Sequence, residues 1–385
     1  MENFDYSLKT NILFGRDRIL ELKDIIESFG KNVLLVYGGK SIKKIGLYKQ
    51  IYDLLTDFNI FEVANVQPNP RIDSVYQGIE ICKENKIDVV LAVGGGSAMD
   101  CAKAIAVGAK YSGDIWKLIK EQISISDALP LVGIVTISAS GSELAMGAVI
   151  SNPETNEKIG FDSPWMQFNT VIMDPSYTTS VPKKHTAAGV IDIFSHLLEQ
   201  YLTSNDTYLS NLLCESVMKT VIHYGPIAYQ DPNNYEARAQ LMWASSLANN
   251  GILSLGSQIY AFSVHGIEHE LSAYHDIIHG IGLAIVTPNW MRYILNDRTV
   301  KKLARYGREI WQIQDLDDYQ TANQAIDMTA KFFYDLNVPI KLSELKIDEH
   351  HFDQMAKQAV KNGFLQYAWQ PLNENDVKQI LKMCL

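Results

Sequence analysis

A change of grammar near residue 180 constrains the fold more than any other feature of the chain. Before it, three short runs are apolar almost end to end: Val33-Leu34-Leu35-Val36-Tyr37, Val89-Val90-Leu91-Ala92-Val93 and Leu131-Val132-Gly133-Ile134-Val135-Thr136. Each leads into glycine or serine. A strand with one wet face alternates apolar and polar residues, so a strand without alternation is covered on both faces, as in a parallel sheet between helices. Residues 42–55 and 75–86 carry helical periodicity between these runs, which is the βαβ pattern of a doubly wound domain. Ile12-Leu13-Phe14-Gly15 adds an edge strand or hairpin.

After Asp174-Pro175 and Val181-Pro182 the strand signal ends. Residues 187–202, 209–224, 235–250 and 300–319 read as helices, and no strand is expected from His185 to Leu385. The predicted architecture is therefore an α/β nucleotide-binding domain with a parallel sheet over 1–181, followed by an all-helical, metal-binding domain over 182–385.

The chain of 385 residues is long enough for two cores, and 47% apolar with 20% charged residues is a globular composition. A net charge of −10 argues against nucleic acid or an anionic membrane as partner. The longest apolar candidate, 128–150, is interrupted by Ser138, Ser140, Ser142 and Glu143. Met-Glu-Asn-Phe-Asp at the start lacks the basic and apolar blocks of a signal peptide. Cys82, Cys101, Cys214 and Cys384 are scattered without a Cys-x-x-Cys pair, which suits reduced thiols in a cytoplasm.

Gly94-Gly95-Gly96-Ser97 follows a predicted strand and opens a predicted helix over 98–109. Glycines let backbone N–H groups approach a pyrophosphate, and a helix N-terminus adds partial positive charge. The pattern is not Gly-x-Gly-x-x-Gly, and its strength lies in its place at the carboxyl end of a parallel strand. A second turn, Gly38-Gly39-Lys40-Ser41, follows the first strand. Dehydrogenases that prefer NAD often place an acid there for the ribose 2′-hydroxyl. Here Lys40, Lys43 and Lys44 stand instead, which predicts NADP(H) over NAD(H). A third turn, Thr136 to Glu143, offers the hydroxyls of Thr136, Ser138 and Ser140 to phosphate or carboxamide oxygens.

Four of the nine histidines fall within residues 265–279. His265 and His269 form one i,i+4 pair, and His275 and His279 another, so each pair shares a helix face. A straight helix would hold His265 and His279 about 21 Å apart, whereas nitrogens on one ion lie about 4 Å apart. Service to a single ion requires a helix break between them. Asp192 and His196 are also one turn apart, in a strong helical stretch. Together these give the candidate ligands Asp192, His196, His265 and His279 for one divalent ion, with Fe2+, Zn2+, Co2+ and Mn2+ all open.

In this ordered combination the chain resembles the iron-containing (group III) alcohol dehydrogenases, in the butanol-dehydrogenase-like branch. The resemblance runs from Ile12-Leu13-Phe14-Gly15 through Gly94 to Asp100, the Thr136–Glu143 turn, Asp174-Pro175, Asp192 with His196, and His265 to His279. It implies a dehydroquinate-synthase-like architecture and a homodimer. The family's ligand pattern falls on Asp192, His196, His265 and His279, for Fe2+ or Zn2+. Its cofactor pattern falls on Gly38, Gly39, Ser41, Gly94, Gly95, Gly96, Ser97, Asp100, Thr136, Ser138, Ser140 and Lys158. Lys40 replaces a glycine usual in this branch, and Ser140 stands where Thr is common.

The implied reaction is reversible hydride transfer between a nicotinamide and a small aldehyde or primary alcohol. His269 and His275, each one turn from a ligand, are the candidates for proton transfer. A dehydroquinate synthase or polyol-phosphate dehydrogenase would need Lys or Arg for an acidic substrate, and none stands between His265 and His279. A metal hydrolase would leave both glycine turns without a role.

Overall fold

The structure is a computed structural model that describes residues 1–203, 207–257 and 261–385. It divides into two compact units. One comprises Ser7–Val181 with Pro232–Asn250, and the other comprises Met1–Tyr6, Pro182–Asp231 and Gly251–Leu385. The junction falls at 181/182, and the helix Tyr235–Asn249 counts with the sheet rather than with the helices that flank it in sequence.

Eight strands are present among the described residues: β1 Asn11–Phe14, β2 Asn32–Tyr37, β3 Asn59–Val63, β4 Val89–Gly94, β5 Leu131–Val135, β6 Gly147–Asn152, β7 Glu157–Asp162 and β8 Thr170–Met173. Six form a wholly parallel sheet in the order β1-β8-β5-β4-β2-β3. β6 and β7 make a separate antiparallel hairpin. Alternation within the strands sorts their side chains between two cores. Leu34, Val36, Val90 and Ala92 join one apolar cluster. Val33, Leu35, Tyr37, Val89, Leu91 and Val93 join the other. Covering both faces is what makes these strands apolar throughout, at about 1.5–3 kcal/mol for each large aliphatic buried.

Two helical expectations need correction. The stretch 42–55 is two helices, Ser41–Lys44 and Leu47–Leu54, because Gly46 takes φ 79° between them. The stretch 300–319 ends at Trp311, where Gln312 turns left-handed, and a new helix Asp318–Asp335 starts behind the Asp317 cap. No strand follows β8 among the described residues. The helix Lys183–Tyr201 is buried along nearly its whole length and packs against Tyr208–Gln230 and His279–Ile294. No described helix is long and apolar enough to cross a membrane.

Candidate functional site

Parallel register brings the three turns of the first unit side by side. Tyr37 pairs with Val93 and Gly94 with Val135, so β2, β4 and β5 end together. Thr136 N–H donates to Gly94 O at 2.9 Å and fixes the third turn against the second. The helix Gly96–Lys110 starts at this edge, and no side chain caps its first turn. Its leading N–H groups and the positive end of its dipole are available to an anion. Glycine is needed there for close approach: a Cβ at Gly95 would lie 2.0 Å from Ile137, and one at Gly96 would lie 2.4 Å from Ser140 Oγ. Gly39 differs, since a Cβ there would meet nothing within 4 Å. The protein's own packing does not require that glycine. Ser138 Oγ is buried with no hydrogen-bond partner.

The turn after β2 borders a pocket of about 500 Å³ lined by Tyr37, Gly39, Lys40, Lys43, Lys44 and Asn65. Its lining holds three lysines and no carboxylate. Glu62, on the neighbouring β3, is occupied elsewhere: it accepts from Tyr37 at 2.8 Å, Tyr48 at 2.6 Å and Tyr52 at 2.5 Å. Ser41 opens the short helix beside the pocket.

One residue of the expected cofactor set has an internal role. Asp100 accepts from Ser142 Oγ at 2.5 Å and from Val149 N–H at 2.9 Å, tying its helix to the third turn and to β6. Lys158 lies buried on β7, paired in register with Ser151. Lys103, absent from the sequence reading, is buried and donates to the carbonyls of Ser142, Ala145 and Gly147 at 2.7, 2.8 and 2.7 Å. It closes the loop that follows the hydroxyl turn. A lysine inside an alanine-rich helix gives no sequence signal of such a task.

In the second unit the helix Ser263–His275 stops at Asp276, which takes φ 48°, and His279 opens the next helix. This is the break that a shared ion demands. It folds His279 back so that its ring lies 5.2 Å from that of His265. Asp192, His265 and His279 each offer a donor atom, all within 4.8 Å of one another. The Nε2 atoms of His265 and His279 face Asp192 Oδ1 at 3.7 and 3.8 Å. His196 adjoins this trio, its ring 4.3 Å from that of His265. Its Nδ1 donates to Asp192 O at 2.9 Å, which leaves Nε2 for other use.

Buried Asp192 Oδ1 and His265 Nε2 have no hydrogen-bond partner. Orphaned donors and acceptors at the focus of a His–Asp cluster are the signature of a divalent-ion site, and this set fits Fe2+ or Zn2+. Burial opposes ionisation of Asp192, but the facing His196, His265 and His279 outweigh it and hold the carboxyl well below the usual range. Burial, then His265, pushes His196 down to about 3. For His265 the cost of burial is overcome by Glu199 and Asp192, and its pKa rises to about 9.

His269 also touches the cluster, its ring 5.6 Å from His279 and 6.4 Å from His265. His275 turns toward His351, ring to ring at 6.1 Å.

Comparison with known proteins agrees with this geometry. Residues 9–175 match the family model for iron-containing alcohol dehydrogenase, and 186–385 match the C-terminal model of the Fe-containing alcohol dehydrogenase family. The chain is 48% identical to NADH-dependent butanol dehydrogenase A of Clostridium acetobutylicum, over 99% of each chain. It is 35% identical to the NADPH-dependent aldehyde reductase YqhD of Escherichia coli, over 95% of each. The crystal structure of NADH-dependent butanol dehydrogenase A from Thermotoga maritima superposes with a TM-score of 0.95 at 35% identity, covering 100% of this chain and 99% of that one. The chain belongs to the iron-containing alcohol dehydrogenase family.

Proposed function

We propose that the protein is a metal-dependent, NAD(P)H-linked reductase of small aldehydes, reversible toward primary alcohols, that takes NADPH ahead of NADH. The observation that carries this reading is the convergence of buried Asp192 Oδ1 and His265 Nε2, which lack hydrogen-bond partners, with Nε2 of half-buried His279. Asp192, His196, His265 and His279 would hold one Fe2+ or Zn2+. The ion supplies a Lewis acid for the carbonyl oxygen, and the reduced nicotinamide supplies the hydride.

The chain's own groups do the rest. The uncapped helix start behind Gly94, Gly95, Gly96 and Ser97 takes the pyrophosphate, and Thr136, Ser138, Ser140 and Lys158 take the remaining polar atoms. Gly38, Gly39, Lys40 and Ser41 border the pocket for the adenosine end, where Lys40, Lys43 and Lys44 favour a 2′-phosphate. Glu62, bound by three tyrosine hydroxyls, does not compete for a ribose hydroxyl. His269 passes the proton, because its ring adjoins the rings of two ligands while His275 turns to His351. The reading includes a homodimer and a cytoplasmic location, the latter supported by four free, buried cysteines.

Steady-state oxidation of NADPH and NADH with butanal tests it. The expected result is turnover with both and a lower KM for NADPH. A tenfold lower KM for NADH would overturn the cofactor preference. Turnover confined to phosphorylated polyols would overturn the substrate class.

A further inference from the structure

Two carboxylates with no place in the ligand set touch it from behind. Glu199 Oε2 accepts from His265 Nδ1, and Glu268 Oε2 accepts from His279 Nδ1. We propose that Glu199 and Glu268 are positioning residues for the ion site, each committing the Nε2 of one imidazole to the metal. The inference rests on the ligand assignment above and adds what orients the ligands.

An ionised carboxylate only accepts, so the bonded Nδ1 carries the proton and the lone pair of the neutral ring sits on Nε2. In both rings that Nε2 is the atom facing Asp192 Oδ1. The two bonds thus fix tautomer and ring rotation together.

Each carboxylate is also built into the helices. Glu199 lies two turns beyond Asp192 on Lys183–Tyr201, so one face of that helix presents Asp192, His196 and Glu199. The same carboxylate accepts from Val264 N–H at 2.6 Å and His265 N–H at 3.3 Å. It therefore caps the helix Ser263–His275, whose own N-cap residue Phe262 gives no side-chain bond. Glu268 reaches from that helix across the break at Asp276 to the first residue of the next. Ser272 donates to its other oxygen. Gly282 leaves it room: a Cβ there would lie 2.6 Å from Glu268 Cγ and 2.7 Å from Oε1. Glu199 and Glu268 are 5% and 0% exposed. Carboxyl groups held so deep need hydrogen-bond partners, and the two imidazoles supply them.

The test is Co2+ binding to metal-stripped protein, with affinity read by chelator competition and geometry by the visible absorption of the bound ion. Glu199→Gln, Glu268→Gln and Glu268→Ala are compared with wild type and with His265→Ala, and circular dichroism checks that each is folded. Each glutamate variant should bind Co2+ about 10–100-fold more weakly, with an altered spectrum, and Glu268→Ala should be worse than Glu268→Gln. A merely structural role would lower thermal stability and leave affinity and spectrum unchanged. Affinity within twofold of wild type in both Glu268 variants, with His265→Ala binding lost, overturns the positioning role alone. Unchanged binding in His265→Ala overturns the ligand assignment and this inference with it.

Discussion

At the scale of residues, the ligand cluster makes separable demands on its histidines. His265→Ala and His279→Ala should each lose bound metal and turnover together, checked by metal analysis of the purified variants. His269→Ala should keep the metal and lose about 10²–10⁴ in kcat, with an altered pH profile. His275→Ala should retain most of its turnover, since its ring packs on His351. A normal kcat and pH profile in His269→Ala would remove that residue from proton transfer. The histidines were legible because their density is unusual and a straight helix cannot bring His265 to His279. Glu199 and Glu268 were not, since an acid on a helix is ordinary until its partner is seen. The spacing of Asp192, His196 and Glu199 on one face was the signal available.

Among elements, the glycines separate packing from ligand approach. A Cβ at Gly280 would lie 2.0 Å from Ala188 O, a backbone atom of the helix Lys183–Tyr201, and neither backbone can yield cheaply. Gly280→Ala should cost about 1–3 kcal/mol in urea unfolding. Gly39→Ala should stay within about 0.5 kcal/mol of wild type, because its new methyl meets nothing, and should instead raise the KM for the cofactor. Equal stability losses in the two variants would contradict that division. Strands β2, β4 and β5 were readable because burial on both faces removes alternation. β3 was hidden by Glu62 near its end, whose cost is met by three tyrosine hydroxyls from earlier elements. The β6–β7 hairpin was hidden because Lys158 and Glu157 interrupt any apolar run. The helix boundary at Trp311 depends on a left-handed Gln312, which sequence pattern alone does not reveal.

Across the whole molecule, burial sets the alkaline limit of stability. Burial drives the thiols of Cys82, Cys101, Cys214 and Cys384 each up to about 12 from an ordinary 9.0. Between those values the unfolded chain loses thiol protons that the folded chain keeps. The thiols' contribution is therefore complete below pH 9 and lost as pH rises toward 12, by up to about 1.4 kcal/mol per thiol per pH unit. Tm should fall steadily above pH 9, and less steeply in Cys101→Ala. Native protein should also react slowly with thiol reagents at pH 8, with four groups appearing on unfolding. A flat Tm from pH 9 to 11 would contradict this.

The central claim is that one divalent ion in the Asp192–His279 cluster enables nicotinamide-linked aldehyde reduction. Absorbance at 340 nm, followed with butanal and NADPH on chelator-stripped protein before and after adding Fe2+ or Zn2+, tests it most directly. The account predicts no oxidation before the metal and recovery on adding about one equivalent. Full activity in the stripped protein, or none after the metal has bound, would contradict it.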